Sequence, residues 1–289
     1  MLLTEEEMAF DFGSARLTPE RDRDLLRFVF SQYLYGEVTG IQVGHWLYAA
    51  PDLEAARFLA RQAVEEMQHV GNFIRILGLL GMEPQEAHPL VRFLATGMMG
   101  RSWSEHLVTE MALGEGFVLN TMLALIDVLD HPEAVAILRR ALRQEESHVA
   151  FGEARTLALI RADPTLREPL LGRCLTWLWG AERLGDFMAR KIDPSHPVLT
   201  QVPAFTAHTL RCAELRIQRM GLCDVPPRTL PLWARAKLVA KGQSDQVRRQ
   251  LKESLHPGQR KRRLTAHYLT DPTLRSLLRE ATEAGIRAR

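Results

Sequence analysis

The chain has 289 residues, 46% of them hydrophobic and 25% charged, and a formal net charge of +2. That is the make-up of an ordinary soluble globular protein with a sizeable core, and the near-neutral balance names no partner. Cys174, Cys212 and Cys223 are an odd number without a CxxC spacing, which argues against a disulfide framework, a rubredoxin-type iron site and a structural zinc.

The opening MLLTEEEMAFDF is acidic where a signal peptide is basic, and it lacks an apolar core. No apolar run is read as approaching the ~20 residues that span a bilayer, so the expected location is a reducing cytoplasm without membrane attachment. Apolar residues then recur at three and four nearly everywhere, which predicts an all-α fold. The first helix is expected from about Pro19 to Tyr48. The second opens at Pro51 and ends near Gly81. After a connection over 82–101, the third starts at Ser102, where Ser102-Trp103-Ser104-Glu105 spells a capping box, and reaches about Leu129. His131-Pro132 opens a fourth, which stops before Asp163-Pro164. A short join, a long crossover and a short join are the connectivity of a ferritin-like four-helix bundle.

The bundle is thus expected over 19–163. A helical C-terminal extension over 164–289 should hold about four more helices, broken by Pro194, Pro197, Pro226-Pro227 and Pro257-Gly258. From Arg228 onward there are 15 Lys+Arg against 5 Asp+Glu, a local +10, which leaves −8 for residues 1–227. This basic region reads either as a solvated helical face or as a dock for an acidic partner or a nucleic acid.

Two helices repeat one spelling: Glu66–His69 in VEEMQHVGNF and Glu145–His148 in QEESHVAF. With 23 Glu and 10 His, chance alone supplies about one ExxH, and Glu253–His256, running into Pro257, reads as that chance pair. Geometry sets the other two pairs apart. Residues three apart share a helix side. Glu37 lies 29 residues before Glu66, and Glu115 lies 30 before Glu145, so each pair is nearly level across its antiparallel hairpin. Glu110, the rival to Glu115, would miss that level by roughly two turns. Four carboxylates buried together would be very costly without cations. Two divalent ions would neutralise them, and this donor set suits iron, or manganese with iron, better than zinc or magnesium.

The pattern E…ExxH…E…ExxH, carried by Glu37, Glu66, His69, Glu115, Glu145 and His148, resembles the ferritin-like di-iron carboxylate superfamily over residues 19–163. Its spacings look closest to the oxygen-activating branch, which includes aldehyde deformylating oxygenases, ribonucleotide reductase small subunits, di-iron monooxygenases and a tRNA-modifying hydroxylase. The resemblance implies two iron ions, dioxygen, a small organic or acyl substrate and a homodimer. Electrons would come from a separate ferredoxin or reductase, since the chain has no Gly-rich dinucleotide fingerprint. The alternatives are iron handling or peroxide detoxification of the ferritin and rubrerythrin kind, a tRNA-modifying hydroxylase, and a non-catalytic bundle with buried salt bridges.

Other residues have simpler readings. Glu65 and Glu146 sit about 100° away from the proposed ligands and are expected at the rim. His45, His88 and His106 read as structural or exposed, and Tyr33, Tyr35, Trp46 and Trp103 as core that could also relay electrons. Gly36, Gly40 and Gly44 recur every fourth residue, and Gly114 and Gly116 bracket Glu115. They suggest either close helix approach or a cavity for dioxygen or substrate at Gly36, Gly40, Gly114 and Gly116, the cavity being slightly favoured.

Overall fold

The computed structural model describes residues 3–41, 46–47, 49–89, 91–92, 100–189, 193 and 195–254, with side chains left aside over 187–189 and 245–254. Among these residues every regular element is helical: α1 (Glu5–Met8), α2 (Arg23–Gly40), α3 (Leu53–Leu79), α4 (Trp103–Val128), α5 (Pro132–Ala162), α6 (Arg167–Ala189), α7 (Val202–Arg219) and α8 (Leu232–Ser254). A one-residue parallel bridge ties Leu17 to Leu129.

The helix ends follow local chemistry. Asp52 caps α3 by accepting from the Ala55 N–H at 2.8 Å, beside Pro51. Gly81 stops the same helix with φ +65°, and the Met82 N–H reaches back to the Leu77 carbonyl at 2.8 Å. Ser102 caps α4 through the Glu105 N–H, but the Glu105 carboxylate turns to the Arg101 N–H instead of closing the reciprocal bond.

Two expected elements differ. The first helix is expected at about 19–48, yet its α-helical part is Arg23–Gly40. Asp22 ties off the preceding turn by accepting from the Thr18 N–H at 2.7 Å, and glycines at 36 and 40 weaken the far end, where 3₁₀ geometry follows at Ile41. Tyr48, the expected end, lies outside the described residues. The third helix is not uniformly α: Leu107–Gly114 is π-helical, between α-helical Trp103–His106 and Glu115–Val128. By length and composition α4 also has the makings of a membrane span, contrary to the expectation that no apolar run comes near one; most of it is buried inside the fold, as in a core helix.

The chain divides into two compact units, with boundaries at 16/17, 98/99, 128/129, 141/142 and 260/261. In the unit holding 17–98 and 129–141, α2 and α3 run antiparallel. Arg23 and Arg27 at the start of α2 donate to the carbonyls of Leu80, Gly81 and Glu83 at the end of α3. Further along, Phe30 and Tyr33 pack on Phe73, Tyr33 stacked at 4.9 Å between ring centroids.

The other unit holds 1–16, 99–128 and 142–260. Here α6 lies against α8 and α7, and Phe117 of α4 meets Trp177 of α6 edge-on. The α6–α8 approach is close. A Cβ added at Gly172 would run into the Leu238 carbonyl, and one at Gly242 would lie 3.0 Å from the Pro169 carbonyl. Gly172→Ala is therefore expected to cost about 1–3 kcal/mol, since backbone cannot yield as a side-chain tip can. A urea unfolding midpoint equal to wild type would show that α8 is not held there.

Candidate metal centre

Four buried side chains converge. One ligand atom each from Glu37, Glu66, His69 and Glu145 lies within 4.8 Å of the others, and Glu66, Glu115 and His148 form a second group within the same limit. Glu66 belongs to both. Glu115 is half-buried; Glu37, Glu66, His69, Glu145 and His148 are buried.

The helices place these groups through simple periodicity. In α3, Glu66 and His69 are one turn apart, with His69 Nδ1 3.8 Å from Glu66 Oε2. The same nitrogen stands 3.2 Å from Glu37 Oε2 of α2. In α5 the pair repeats, with His148 Nδ1 3.1 Å from Glu145 Oε2. With an imidazole nitrogen and carboxylate oxygens so close, either a proton or a cation must sit among them to offset the negative charge.

Two features around Glu66 show how its carboxylate is held. A Cβ added at Gly40 would lie 2.9 Å from Glu66 Oε2 and 3.2 Å from its Cδ, so the missing side chain makes the cradle for that carboxylate. Buried Gln62, one turn earlier on α3, donates to Glu66 Oε1 at 3.3 Å. The sequence reading missed Gln62, although its i−4 spacing to Glu66 was the signal available. Gln62→Leu is expected to weaken metal binding about 10- to 100-fold while the fold persists, the usual effect of removing a hydrogen bond to a ligand. Titration with ferrous ion under nitrogen checks this, and unchanged affinity would remove Gln62 from the site.

The glycines separate. Gly40 houses Glu66, and Gly116 leaves room for the guanidinium of Arg216, whose Cζ would be 2.9 Å from an added Cβ. At these two positions a neighbouring side chain fills the space expected of a cavity. An added Cβ at Gly114 would be 3.1 Å from the Thr109 carbonyl of its own π-helical stretch, and one at Gly36 would meet nothing within 4 Å. Gly44 lies outside the described residues.

Glu110 belongs to neither ligand group. It accepts from the Gly100 N–H and faces His106 Nδ1 at 2.9 Å, tying α4 to the loop before it. Glu65 stands 3.6 Å from Arg61. Glu146 is half-buried, and burial followed by the nearby Glu5 pushes its carboxyl above the usual range. His88 stacks edge-on toward Phe28. Trp46 and Tyr35 are buried, and burial raises the Tyr35 phenol. His45, His256 and the basic stretch Arg260, Lys261, Arg262 and Arg263 lie outside the described residues.

A second buried polar group escaped the sequence reading. Arg216 of α7 donates to Asn120 Oδ1 at 3.1 and 3.2 Å, and its Nε is 3.9 Å from Glu153 Oε1. Burial pulls the guanidinium down to about 10. Arg219 also pairs with Glu153, with its Nε 3.0 Å from Oε2. Asn120 Nδ2 and His208 Nε2 both meet the Met8 carbonyl, so α1 is fastened to the same group.

No protein-family model matches the chain, and comparison with curated proteins and with solved structures finds no match.

Proposed function

We propose that α2, α3, α4 and α5 form a ferritin-like four-helix bundle around one di-metal centre, and that the protein is an oxygen-dependent di-iron oxidoreductase. The observation that carries this reading is Glu66. It is the residue common to both ligand groups, and a carboxylate has two oxygens with which it could serve two ions. Glu37, His69 and Glu145 would complete one side, Glu115 and His148 the other.

The residues present fit such a pair. Carboxylates and imidazoles are the donors that iron and manganese take in mixed oxygen–nitrogen sites. Gly40 and Gln62 already fix the common carboxylate from two directions. A bound iron pair would supply redox equivalents and open positions for reducing dioxygen. What the chain contributes is a dry, charged interior that holds the donors in place. Electrons for turnover would come from a separate ferredoxin or reductase, and the substrate would be a small organic or acyl compound.

The test is oxygen uptake by ferrous-loaded protein supplied with a chemical reductant, with free iron as the control. Reductant-dependent consumption that disappears in Glu66→Ala supports the reading. Uptake no faster than free iron would end the oxygenase proposal, and ferric mineral growing beyond two ions per chain would point to iron storage.

A further inference from the structure

The outward side of α3 carries an apolar seam. Leu53, Ala60, Val64, Met67, Gly71 and Gly78 follow one another by threes, fours and sevens, so they fall within about 60° of one another around the helix. Glu66 and His69 lie on the opposite side of α3. Leu53, Val64 and Met67 are 67%, 58% and 41% exposed. Ala60 and Gly78 are exposed and Gly71 is half-buried, and a Cβ added at either glycine would meet nothing within 4 Å. Two positions interrupt the seam: exposed Arg57, and Ile74, which is buried in its own chain. This is the spacing by which one helix meets another in a coiled coil, here turned to solvent.

The seam complements itself when reversed. Take two antiparallel copies of α3 related by a two-fold axis, with Val64 opposite the partner's Met67. Ala60 then falls opposite the partner's Gly71, and Leu53 opposite the partner's Gly78. The side chain of one copy thus meets the open space over a glycine of the other, as a knob meets a hole. The charges fit the same register. At each end Glu54 and Arg57 come level with the partner's Arg75, which is 2.8 Å from Glu133 of its own chain, so two arginines meet two glutamates. Arg61, 3.6 Å from Glu65, comes level with the partner's Gln68. A parallel pair would instead set Arg57, Arg61 and Arg75 each against itself, which disfavours that arrangement.

We infer that this face of α3 is the interface of a homodimer in which the two α3 helices pack antiparallel. A two-fold pairing is closed and covers both copies of the seam at once. The face offers shape rather than net charge, because Arg57, Arg61 and Arg75 are balanced by Glu54, Glu65 and Glu133. An acidic or basic partner has nothing there to select, whereas a second copy matches both the large and small positions and the charges at each end.

The experiment is sedimentation velocity of the full chain over about 1–100 µM, joined to cysteine cross-linking. Wild type should be dimeric toward the upper end. Val64→Glu should dimerise about 100-fold more weakly or worse, because it buries an unpaired carboxylate on each side of the axis. At a concentration where wild type is itself monomeric, the two should melt alike, since position 64 is exposed. The double variant Ala60→Cys/Gly71→Cys should give a disulfide-linked dimer on mild oxidation, and neither single variant should. Residues 60 and 71 of one helix are about 16 Å apart, so the bridge can form only between copies. Cys174, Cys212 and Cys223 are buried and do not compete. Should Val64→Glu melt lower, the cysteine pair decides, since it exchanges only small side chains. Wild type that stays monomeric throughout would overturn the proposal. So would a dimer that Val64→Glu leaves intact, or a cross-link that Ala60→Cys forms alone. Metal content enters none of these readouts, so failure of the di-iron reading and failure of this one are separate results.

Discussion

Protein purified without added metal is expected to carry about two iron ions per chain, or one manganese and one iron. Glu115→Ala should lose metal, keeping about one ion or less, because it removes a member of the group formed with Glu66 and His148. Glu110→Ala should keep its metal, since Glu110 is engaged by His106 and the Gly100 N–H. Metal-content mass spectrometry of the three proteins decides the matter. A metal that binds only the folded chain also stabilises it, by about 2.7 kcal/mol at a free concentration one hundred times the dissociation constant. Chelation should therefore lower the melting temperature of wild type by more than that of Glu115→Ala. Wild type that stays empty after anaerobic ferrous loading would make the repeated Glu–His spelling a structural device, and the enzyme reading would fall with it.

Arg216→Met is expected to destabilise the fold by about 3 kcal/mol, at the low end for breaking a buried ion pair, because Glu153 keeps Arg219. In melting temperature that is roughly 6–12 °C. Burial lowers the Arg216 pKa to about 10, so the guanidinium is still charged at neutral pH and the full cost of burying it is present there. Asn120 and Glu153 offset that cost only while both remain. Glu153→Gln should be worse than Arg216→Met, since it leaves two arginines facing a neutral amide. The double variant should lose less than the sum of the two. Additive losses would mean that Arg216 and Glu153 do not act as a pair.

Helix limits were legible where the signal is local. Pro51-Asp52 marks the start of α3, Pro132 starts α5, and α5 stops at Ala162 before Asp163-Pro164, because proline and capping side chains act within a few residues of themselves. The candidate ligands were legible for a similar reason: Glu66–His69 and Glu145–His148 are one-turn pairs, and a one-turn spacing needs no knowledge of the partner helix. What could not be read depends on distant neighbours. Gly40 and Gly116 look alike in the sequence, yet one makes room for a carboxylate and the other for a guanidinium 100 residues away in the chain. Arg216 looks like one more surface arginine until Asn120, Met8 and Glu153 are seen around it. Nor does any local code announce that α4 changes its helical pitch.

That change of pitch bears on how this chain can vary. A π-helical stretch holds one residue more than an α-helix would need to cover the same turns. If one residue were deleted anywhere between Leu107 and Gly114, α4 could relax to a regular α-helix with little loss of apolar burial. Glu115 would then keep its bearing relative to Trp103–His106, whereas relaxation with every residue retained would swing it by about 100° away from Glu66 and His148. A single-residue deletion in this segment should therefore keep the ligand group in register, and a further single-residue insertion should not.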